Sequence, residues 1–104
     1  MSLIKRVKYK IPEATDLIWG VLESDYGYRT KMVCIRLAKE KGFFPSRDAK
    51  KIVCLCKDLL SLVKDSWREN CCELGLFYSS KIQGEAKPYM NFFMKRWEIW
   101  KWGN

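Results

Sequence analysis

The sequence predicts one small α+β domain that is mostly helical, with an all-α bundle as the alternative. The chain has 104 residues, of which 48% are hydrophobic, and this is enough for one core but not for two. Residues 3–11 alternate between apolar and basic side chains, which is typical of a strand with one buried face. Most of the remaining chain shows the three- and four-residue apolar spacing of helices. We therefore expect a single domain over residues 1–104.

The first two predicted elements are a strand and a helix. In the strand, the side chains that share one face are Leu3, Val7, Tyr9 and Ile11. Pro12 then opens a helix at its first position, where its missing N–H costs no hydrogen bond. Glu13 follows in the first turn, where the helix dipole favours acids. Apolar side chains continue to Leu22, and Gly27 marks the end of this segment.

Two further helices follow, and the second of them carries the clearest periodicity. Thr30 is a good N-cap for a helix that Gly42 ends with a C-terminal glycine signal. Ser46 is predicted to cap the next helix, with Asp48 in its first turn. Three- and four-residue spacing then runs through Ala49, Ile52, Val53, Cys56, Leu60, Val63 and Trp67. The pattern predicts one continuous helix from residue 49 to residue 67.

The last third of the chain combines an ambiguous segment with a final helix. Gly75 and its aromatic neighbours favour a strand over residues 74–82, which would pair with residues 3–11. Residues 83–88 contain glycine and proline and are predicted to form a turn or loop. Residues 89–102 are predicted to be helical and to pack across the core. A helix there places on one face Tyr89, Phe93, Trp97 and Trp100.

The formal net charge of +8 is concentrated at the two ends of the chain. Residues 1–11 carry +4 and residues 86–104 carry +3, whereas the long middle carries only +1. A near-neutral body with two basic ends indicates local cationic surfaces for an anion, and nucleic acid is the commonest polyanion that fits. Basic ends also occur as solubilising tails, but both ends here are rich in apolar residues, unlike disordered tails.

A helix-turn-helix pattern spans residues 36–57. Ala38 would let two helices approach closely, and Gly42 would let the chain turn tightly between them. The alternative is an ordinary helical hairpin with a solvated charged face. In the DNA-binding interpretation, the phosphate contacts come from Lys5, Arg6, Lys8, Lys10, Arg47, Lys50 and Lys51. A second cationic surface is predicted from Lys81, Lys87, Lys95 and Arg96.

Two segments of the chain resemble a known family. Residues 23–37, with the sequence ESDYGYRTKMVCIRL, are followed by Gly42-Phe43-Phe44. Together they resemble the winged-helix N-terminal module of DnaD-like and phage replisome-organiser replication proteins. Residues 76–83 are similar to the segment that closes the domain in that family. The resemblance implies a winged helix-turn-helix that binds DNA in phage or mobile-element replication or regulation. The stretch between the two segments is shorter than in the family, so no base-reading residue is assigned from it.

Catalysis and cofactor binding find no support in the sequence. The chain has no His, so the usual general base and the usual catalytic triads are missing. The five cysteines lack the paired spacing of metal ligands, and neither a metal nor another cofactor is expected. We expect the cysteines to be small buried apolar residues, with one or two exposed thiols. The protein is therefore predicted not to be an enzyme.

The C-terminal aromatic segment indicates an alternative function. Aromatic and cationic side chains are interleaved over residues 92–102, a pattern that also suits docking into a partner's groove. In this interpretation the protein is a non-catalytic interaction or assembly module, and Trp97 and Trp100 contact a second copy or another protein. No run approaches the ~20 apolar residues that span a bilayer, and the N-terminus lacks the apolar stretch of a signal peptide. We therefore expect a cytoplasmic protein with no membrane partner.

Overall fold

Five helices and one short 3₁₀ turn account for most of the described chain. The computed structural model describes residues 11–64 and 66–102, with side chains over residues 13–64 and 66–99. The elements are α1 (Ile11–Leu22), α2 (Tyr28–Lys41), the 3₁₀ turn (Ser46–Asp48), α3 (Ala49–Leu60), α4 (Ser66–Ser79) and α5 (Lys87–Trp102). No strand occurs among these residues.

Helix α4 lies at the centre of the fold. It packs against the helix before it, α3, and the helix after it, α5, and it also contacts α2. Helix α1 packs against α2. The central position suits α4 because small side chains let neighbouring helices approach closely. The small buried residues of α4 are Cys71, Cys72, Gly75 and Ser79.

The core is built from side chains of all five helices, with Leu22 contributed by α1. Its fully buried apolar members include Met32, Ile35, Ile52, Val53, Cys56, Cys71 and Phe93. The Phe93 ring lies against the backbone of Gly75, where an added Cβ would come closer than 3.0 Å to three ring atoms. Ser79 is fully buried as well, and its hydroxyl donates to the Gly75 carbonyl at 2.6 Å. The buried hydroxyl is therefore satisfied within its own helix.

The predicted α+β fold is wrong for the described residues, and the all-α alternative agrees with the structure. Residues 74–82, predicted as a strand, form the C-terminal part of α4 and the turn after it. Gly75 favoured a strand in the sequence, but in the helix it provides the space that the Phe93 ring occupies. The other predicted strand lies outside the described residues except for Ile11, which begins α1. Because residues 74–79 are helical, they cannot form the second strand of the predicted wing.

The continuous helix predicted from residue 49 to residue 67 is also wrong. The segment contains two helices, because α3 ends and α4 begins within it. The N–H of Val63 donates to the Leu59 carbonyl at 2.9 Å, and the chain then reverses. Val63 is buried and Trp67 packs against the core, on the two sides of the reversal. The apolar spacing therefore continues through the turn, so the sequence pattern does not reveal where α3 ends.

Several predicted helix boundaries are confirmed, while the predicted N-caps differ. Gly42 ends α2 in the left-handed conformation, with a φ of 69°. The next residue, Phe43, donates its N–H to the Ala38 carbonyl at 2.9 Å and so satisfies a carbonyl at the helix end. Helix α2 begins before Thr30, and Ser46 lies in the 3₁₀ turn that precedes α3. Tertiary packing, rather than a capping side chain, therefore sets these two starts.

The prediction of a C-terminal helix with one aromatic face is confirmed by α5. Phe93 is fully buried, and Tyr89 and Trp97 are partly buried and pack against the core. The side chain of Trp100 lies outside the described residues. The aromatic face therefore contributes to the core of the domain.

Candidate nucleic-acid interface

Four aromatic rings form a continuous row that connects α1, the loop after α2 and the end of α4. The ring centroids of Trp19 and Phe44 are 5.5 Å apart, and those of Phe44 and Tyr78 are 5.9 Å apart. Phe77 continues the row, with its centroid 5.0 Å from that of Tyr78. We call these four residues the aromatic row. Tilted and edge-on contacts of this kind are favoured by the ring quadrupoles, so the row fixes the loop against the helices.

Lysine side chains lie over both ends of the aromatic row. The Nζ atom of Lys51 is 4.3 Å from the ring centroid of Trp19. At the other end, the Nζ atoms of Lys39 and Lys81 are 4.6 Å and 5.2 Å from the ring centroid of Phe77. A cation within about 6 Å of an aromatic centroid is attracted by the ring quadrupole. These contacts restrict three ammonium groups without neutralising their charge.

Two adjoining cavities beside the aromatic row form a groove with basic walls. Their volumes are about 200 Å³ and about 240 Å³, and Ser46 lines both of them. The cations that line them are Lys39 and Lys81 in the first cavity and Arg47 and Lys50 in the second. We call these four residues the basic groove. No carboxylate is among the described residues that line either cavity.

The loop between α2 and α3, which carries part of the basic groove, is held by α1. The hydroxyl of Thr15 donates to the carbonyl of Phe43. The indole Nε1–H of Trp19 donates to a carboxylate oxygen of Asp48 at 3.4 Å. Arg47 lies between these two anchored points and is exposed. The groove is therefore built on a loop that tertiary hydrogen bonds position, which is what a preformed binding site requires.

A second group of cations surrounds Phe92 on the α3–α5 side of the molecule. The Nζ atom of Lys57 is 4.7 Å from the Phe92 centroid, and the Cζ atom of Arg96 is 4.5 Å from it. Lys57 is also 5.9 Å from the ring centroid of Tyr89. We call Lys57, Phe92 and Arg96 the Phe92 cluster. It links α3 to α5 and places two positive charges at one ring.

The structure brings together only part of the predicted nucleic-acid-binding set. Arg47 and Lys50 line the basic groove together with Lys81, which the sequence had assigned to a separate surface. Lys51 lies over Trp19 at the far end of the aromatic row. Arg96 belongs to the Phe92 cluster instead. The structure therefore groups these cations differently from the two surfaces that the sequence predicted.

The remaining predicted residues stand apart from the basic groove. Lys87 and Lys95 are exposed on α5, and neither lines the two cavities. The four N-terminal cations, which lie outside the described residues, are Lys5, Arg6, Lys8 and Lys10.

The sequence analysis missed Lys39, and it placed Lys57 only on the exposed side of the helix-turn-helix, without its aromatic partner. Their aromatic partners, Phe77 and Phe92, lie in other helices, far along the chain. Spacing within one helix cannot reveal such a contact, because it depends on how the helices pack. The available signal was indirect. Several lysines lie on helices whose apolar sides pack against a core that includes aromatic side chains.

The two helices of the predicted helix-turn-helix have their main contacts elsewhere. Helix α2 packs against α1 and α4, while α3 packs against α4. The exposed side of α3 carries Lys50 and Lys57, which belong to different clusters. The cations of α3 therefore do not form a single reading surface along the helix.

The cysteines belong mainly to the core. Cys56, Cys71 and Cys72 are buried, Cys34 is half-buried and Cys54 is exposed. The thiol of Cys71 donates to the carbonyl of Cys56 at 3.2 Å. Burial raises the pKa of the Cys72 thiol to about 11, so this thiol stays protonated at neutral pH. The prediction of small buried residues with one or two exposed thiols is confirmed.

An apolar groove of about 200 Å³ lies between α4 and α5. Leu76, Met94 and Trp97 line it, and Glu73 and Glu98 lie beside them. Met94 is 48% exposed in this groove. Of the two tryptophans predicted to contact a partner, Trp97 therefore lies at an accessible apolar surface.

The described part of the chain brings no three His, Cys, Asp or Glu side chains together in a way that could hold a metal ion. Within residues 11–64 and 66–102, no helix combines the length and the apolarity that crossing a membrane requires. No family model matches the chain, and neither a curated protein nor a solved structure matches it.

Proposed function

We propose that this protein binds nucleic acid through the basic groove, mainly by contacts to the phosphate backbone. The observation that carries this function is the convergence of Lys39, Arg47, Lys50 and Lys81 from three separate parts of the chain, namely the end of α2, the 3₁₀ turn with the start of α3, and the turn after α4. No described carboxylate lines these two cavities, although Lys39 also lines a neighbouring cavity together with Glu40 and Glu73. Such a surface favours a polyanion, because each neutralised phosphate releases condensed counterions.

The contacts at Phe77 favour binding that tolerates many sequences. Two lysines lie over this ring, so a base could stack on it only by displacing an ammonium group. Charge contacts to phosphates carry no sequence information by themselves. We therefore propose binding with little base preference, to DNA in the first instance, because DNA is the ligand that the family resemblance implies.

The biological setting is proposed on separate grounds. A role in phage or mobile-element replication or regulation rests only on the resemblance of residues 23–44 and 76–83 to DnaD-like proteins. That role would be carried out without the winged helix of that family. The cytoplasm is the proposed compartment, because all five cysteines are free thiols and disulfides form in oxidising compartments. We also propose that the protein is not catalytic.

Fluorescence anisotropy at low salt tests binding to labelled single-stranded DNA, duplex DNA and RNA. In the test variant, alanine replaces Lys39, Arg47, Lys50 and Lys81. We expect its affinity for at least one of the probes to fall by a factor of roughly 100 or more, because up to four phosphate contacts are removed. For duplex DNA, the slope of log K against log salt should become shallower by about 3 to 4.

A matched control removes the same charge from other exposed positions. It changes to Ala the four cations Arg29, Lys64, Lys87 and Lys95, none of which lines the basic groove. This control should bind almost as tightly as the wild type, and circular dichroism should show that both variants are folded. Equal losses in the two variants would mean that net charge alone drives binding. That result, or a failure of every probe to bind at low salt, contradicts a role for the groove.

An interaction module is the alternative function, and the apolar groove between α4 and α5 favours it. The exposed Met94 next to Trp97 offers apolar surface, while Glu73 and Glu98 beside them make this face unsuitable for a polyanion. In this alternative, two copies of the chain associate through that groove. Light scattering distinguishes the two functions, because association requires a molar mass that rises with protein concentration.

A further inference from the structure

A third cavity lies away from the basic groove, where the end of α3 meets α4 and α5. Its volume is about 90 Å³, and its described lining residues are Leu60, Arg68, Cys72, Arg96 and Ile99. None of these residues lines the basic groove. Leu60 and Cys72 are buried, whereas both arginines are exposed. The cavity therefore has an apolar floor and two guanidinium groups at its opening.

Arg68 and Arg96 line the same cavity. Arg68 comes from α4 and Arg96 from α5, yet both lie close enough to the Cys72 sulfur to pull the pKa of that thiol downward against the effect of burial. Arg96 is also restrained, because its Cζ atom lies 4.5 Å from the ring centroid of Phe92. A stacked guanidinium keeps its N–H donors available in the plane of the group. Two such forks around one cavity match the oxygen atoms of a tetrahedral anion.

The described residues that line the cavity carry positive charge only. No carboxylate is among its described lining residues. Glu73 is the acid that acts on the Cys72 thiol, but it lines the neighbouring apolar groove rather than this cavity. The thiol itself is protonated at neutral pH, because burial outweighs the two arginines. Among the described lining residues, an anion that enters the cavity would therefore meet two positive charges, with Glu73 outside the lining.

We propose that this cavity binds a single phosphate group between Arg68 and Arg96. The size of the cavity supports this ligand class, since about 90 Å³ corresponds to roughly three water molecules at ~30 Å³ each. A phosphate group fits such a space. The group belongs either to a small phosphate compound or to the nucleic acid that we propose as ligand of the basic groove. The site itself does not depend on that proposed function, because it shares no lining residue with the groove.

Titration with inorganic phosphate, followed by NMR of the arginine Nε–H signals, tests the site. Sodium chloride holds the ionic strength constant, so a general salt effect cancels. We expect the signals of Arg68 and Arg96 to shift together and to saturate in the millimolar range. The signal of Arg29 should not follow them, because this arginine lies on α2, next to the Tyr28 ring, and does not line the cavity.

Single substitutions decide whether the two arginines act together. Arg68→Gln should weaken phosphate binding at least 10-fold when the Arg96 signal is observed, and Arg96→Gln should do the same for the Arg68 signal. Arg29→Gln is the matched control and should leave binding unchanged. Arg68 has no aromatic partner in the described contacts, so its variant is the one least expected to disturb packing. Shifts that do not saturate, or that persist in Arg68→Gln, overturn the site.

A nucleic-acid titration of the same variants identifies the source of the phosphate. If Arg68→Gln and Arg96→Gln weaken nucleic-acid binding as well as phosphate binding, the group belongs to the nucleic acid. If they weaken only the binding of inorganic phosphate, the cavity takes a small phosphate compound. The Ala variant of the basic groove should still bind inorganic phosphate here. Loss of the proposed function and loss of this site are therefore separate results.

Discussion

Gly75 determines how closely α5 can pack on α4. The Phe93 ring occupies the space where any other side chain at position 75 would begin. Phe93 is fully buried, so its ring has no free volume into which it could move. The same glycine accepts the hydroxyl hydrogen bond of Ser79 at 2.6 Å. One residue without a side chain therefore sets the distance between two helices of the core.

Gly75→Ala should destabilise the protein even though alanine favours helices. Overpacking of a buried contact costs about 1–3 kcal/mol, while the gain in helix propensity is only about 1 kcal/mol. We expect a net decrease in the free energy of unfolding, measured by urea denaturation. Gly20→Ala is the control, because Gly20 lies exposed in α1 with nothing within 4 Å of an added Cβ. That variant should be stabilised by up to about 1 kcal/mol.

A second substitution checks that the Phe93 ring is the cause. Adding Phe93→Leu to Gly75→Ala should restore part of the lost stability, because the smaller side chain vacates the space that the new methyl group needs. Additive losses in the double variant would show that the contact between residues 75 and 93 is not limiting.

At the scale of elements, the left-handed end of α2 connects the helix to the basic groove. Gly42 has a φ of 69°, and the chain then turns toward Phe44 and the 3₁₀ turn. An added Cβ at position 42 would meet nothing within 4 Å. A substitution at this position therefore changes the backbone preference alone and leaves the packing unaltered.

Gly42→Ala should lower the free energy of unfolding by about 1–2 kcal/mol, the cost of the left-handed conformation for a residue with a Cβ. Gly42→Asn should cost less, because asparagine tolerates this conformation. Lys41→Ala is the control one residue earlier and should change stability little, since the side chain is exposed at the helix end. Thermal unfolding measures the order of the three variants. Equal stability of Gly42→Ala and the wild type would contradict a role for this cap.

Most helices could be predicted from the sequence, while their junctions could not. The proline, glycine and acidic signals of α1 and α2 are local, so they indicate structure directly. The break between α3 and α4 is hidden because Val63 and Trp67 keep contact with the core across the turn. The strand predicted over residues 74–82 failed for a related reason. In the sequence, a glycine that is required by a tertiary contact with Phe93 cannot be distinguished from a glycine that breaks a helix.

The candidate site was predictable only in part. Exposure of Lys50 follows from the helical pattern, because it lies off the apolar stripe of α3, and Arg47 is exposed in the 3₁₀ turn that precedes this helix. The arrival of Lys39 and Lys81 at the Phe77 ring depends on how α2 packs against α4. No spacing within either helix contains that information. Binding surfaces assembled from several elements therefore require the fold before they can be recognised.

At the scale of the whole molecule, net charge by segment conceals the local arrangement of charge. The middle of the chain carries only +1, yet it contributes every residue of the basic groove. The four cations line two cavities that no described carboxylate lines, although Lys39 also lines a cavity with Glu40 and Glu73. Glu73 and Glu98 lie at the apolar groove, while the four cations line a different surface. The resulting field, more than the total of +8, favours an oriented polyanion.

The buried thiols make the stability of the whole domain sensitive to alkaline pH. Burial raises the pKa of Cys72 from 9.0 to about 11, and burial also raises the pKa of Tyr78 above its usual range. Below pH 9 these groups are protonated in both the folded and the unfolded state, so stability does not depend on them. Above pH 9 the unfolded chain loses the Cys72 proton first, which favours unfolding. The stability that the protonated Cys72 and Tyr78 side chains provide is therefore lost as the pH rises toward their pKa values in the folded state.

The free energy of unfolding should accordingly decline between about pH 9 and pH 11, as measured by urea denaturation with a reducing agent present. Cys72→Ala should show a shallower decline over this interval, although it is less stable at neutral pH because it leaves a small cavity. Cys54→Ala is the control, since that thiol is exposed and should leave the pH profile unchanged. A decline of the same steepness in Cys72→Ala would assign the alkaline sensitivity to other groups, with Tyr78 the next to test.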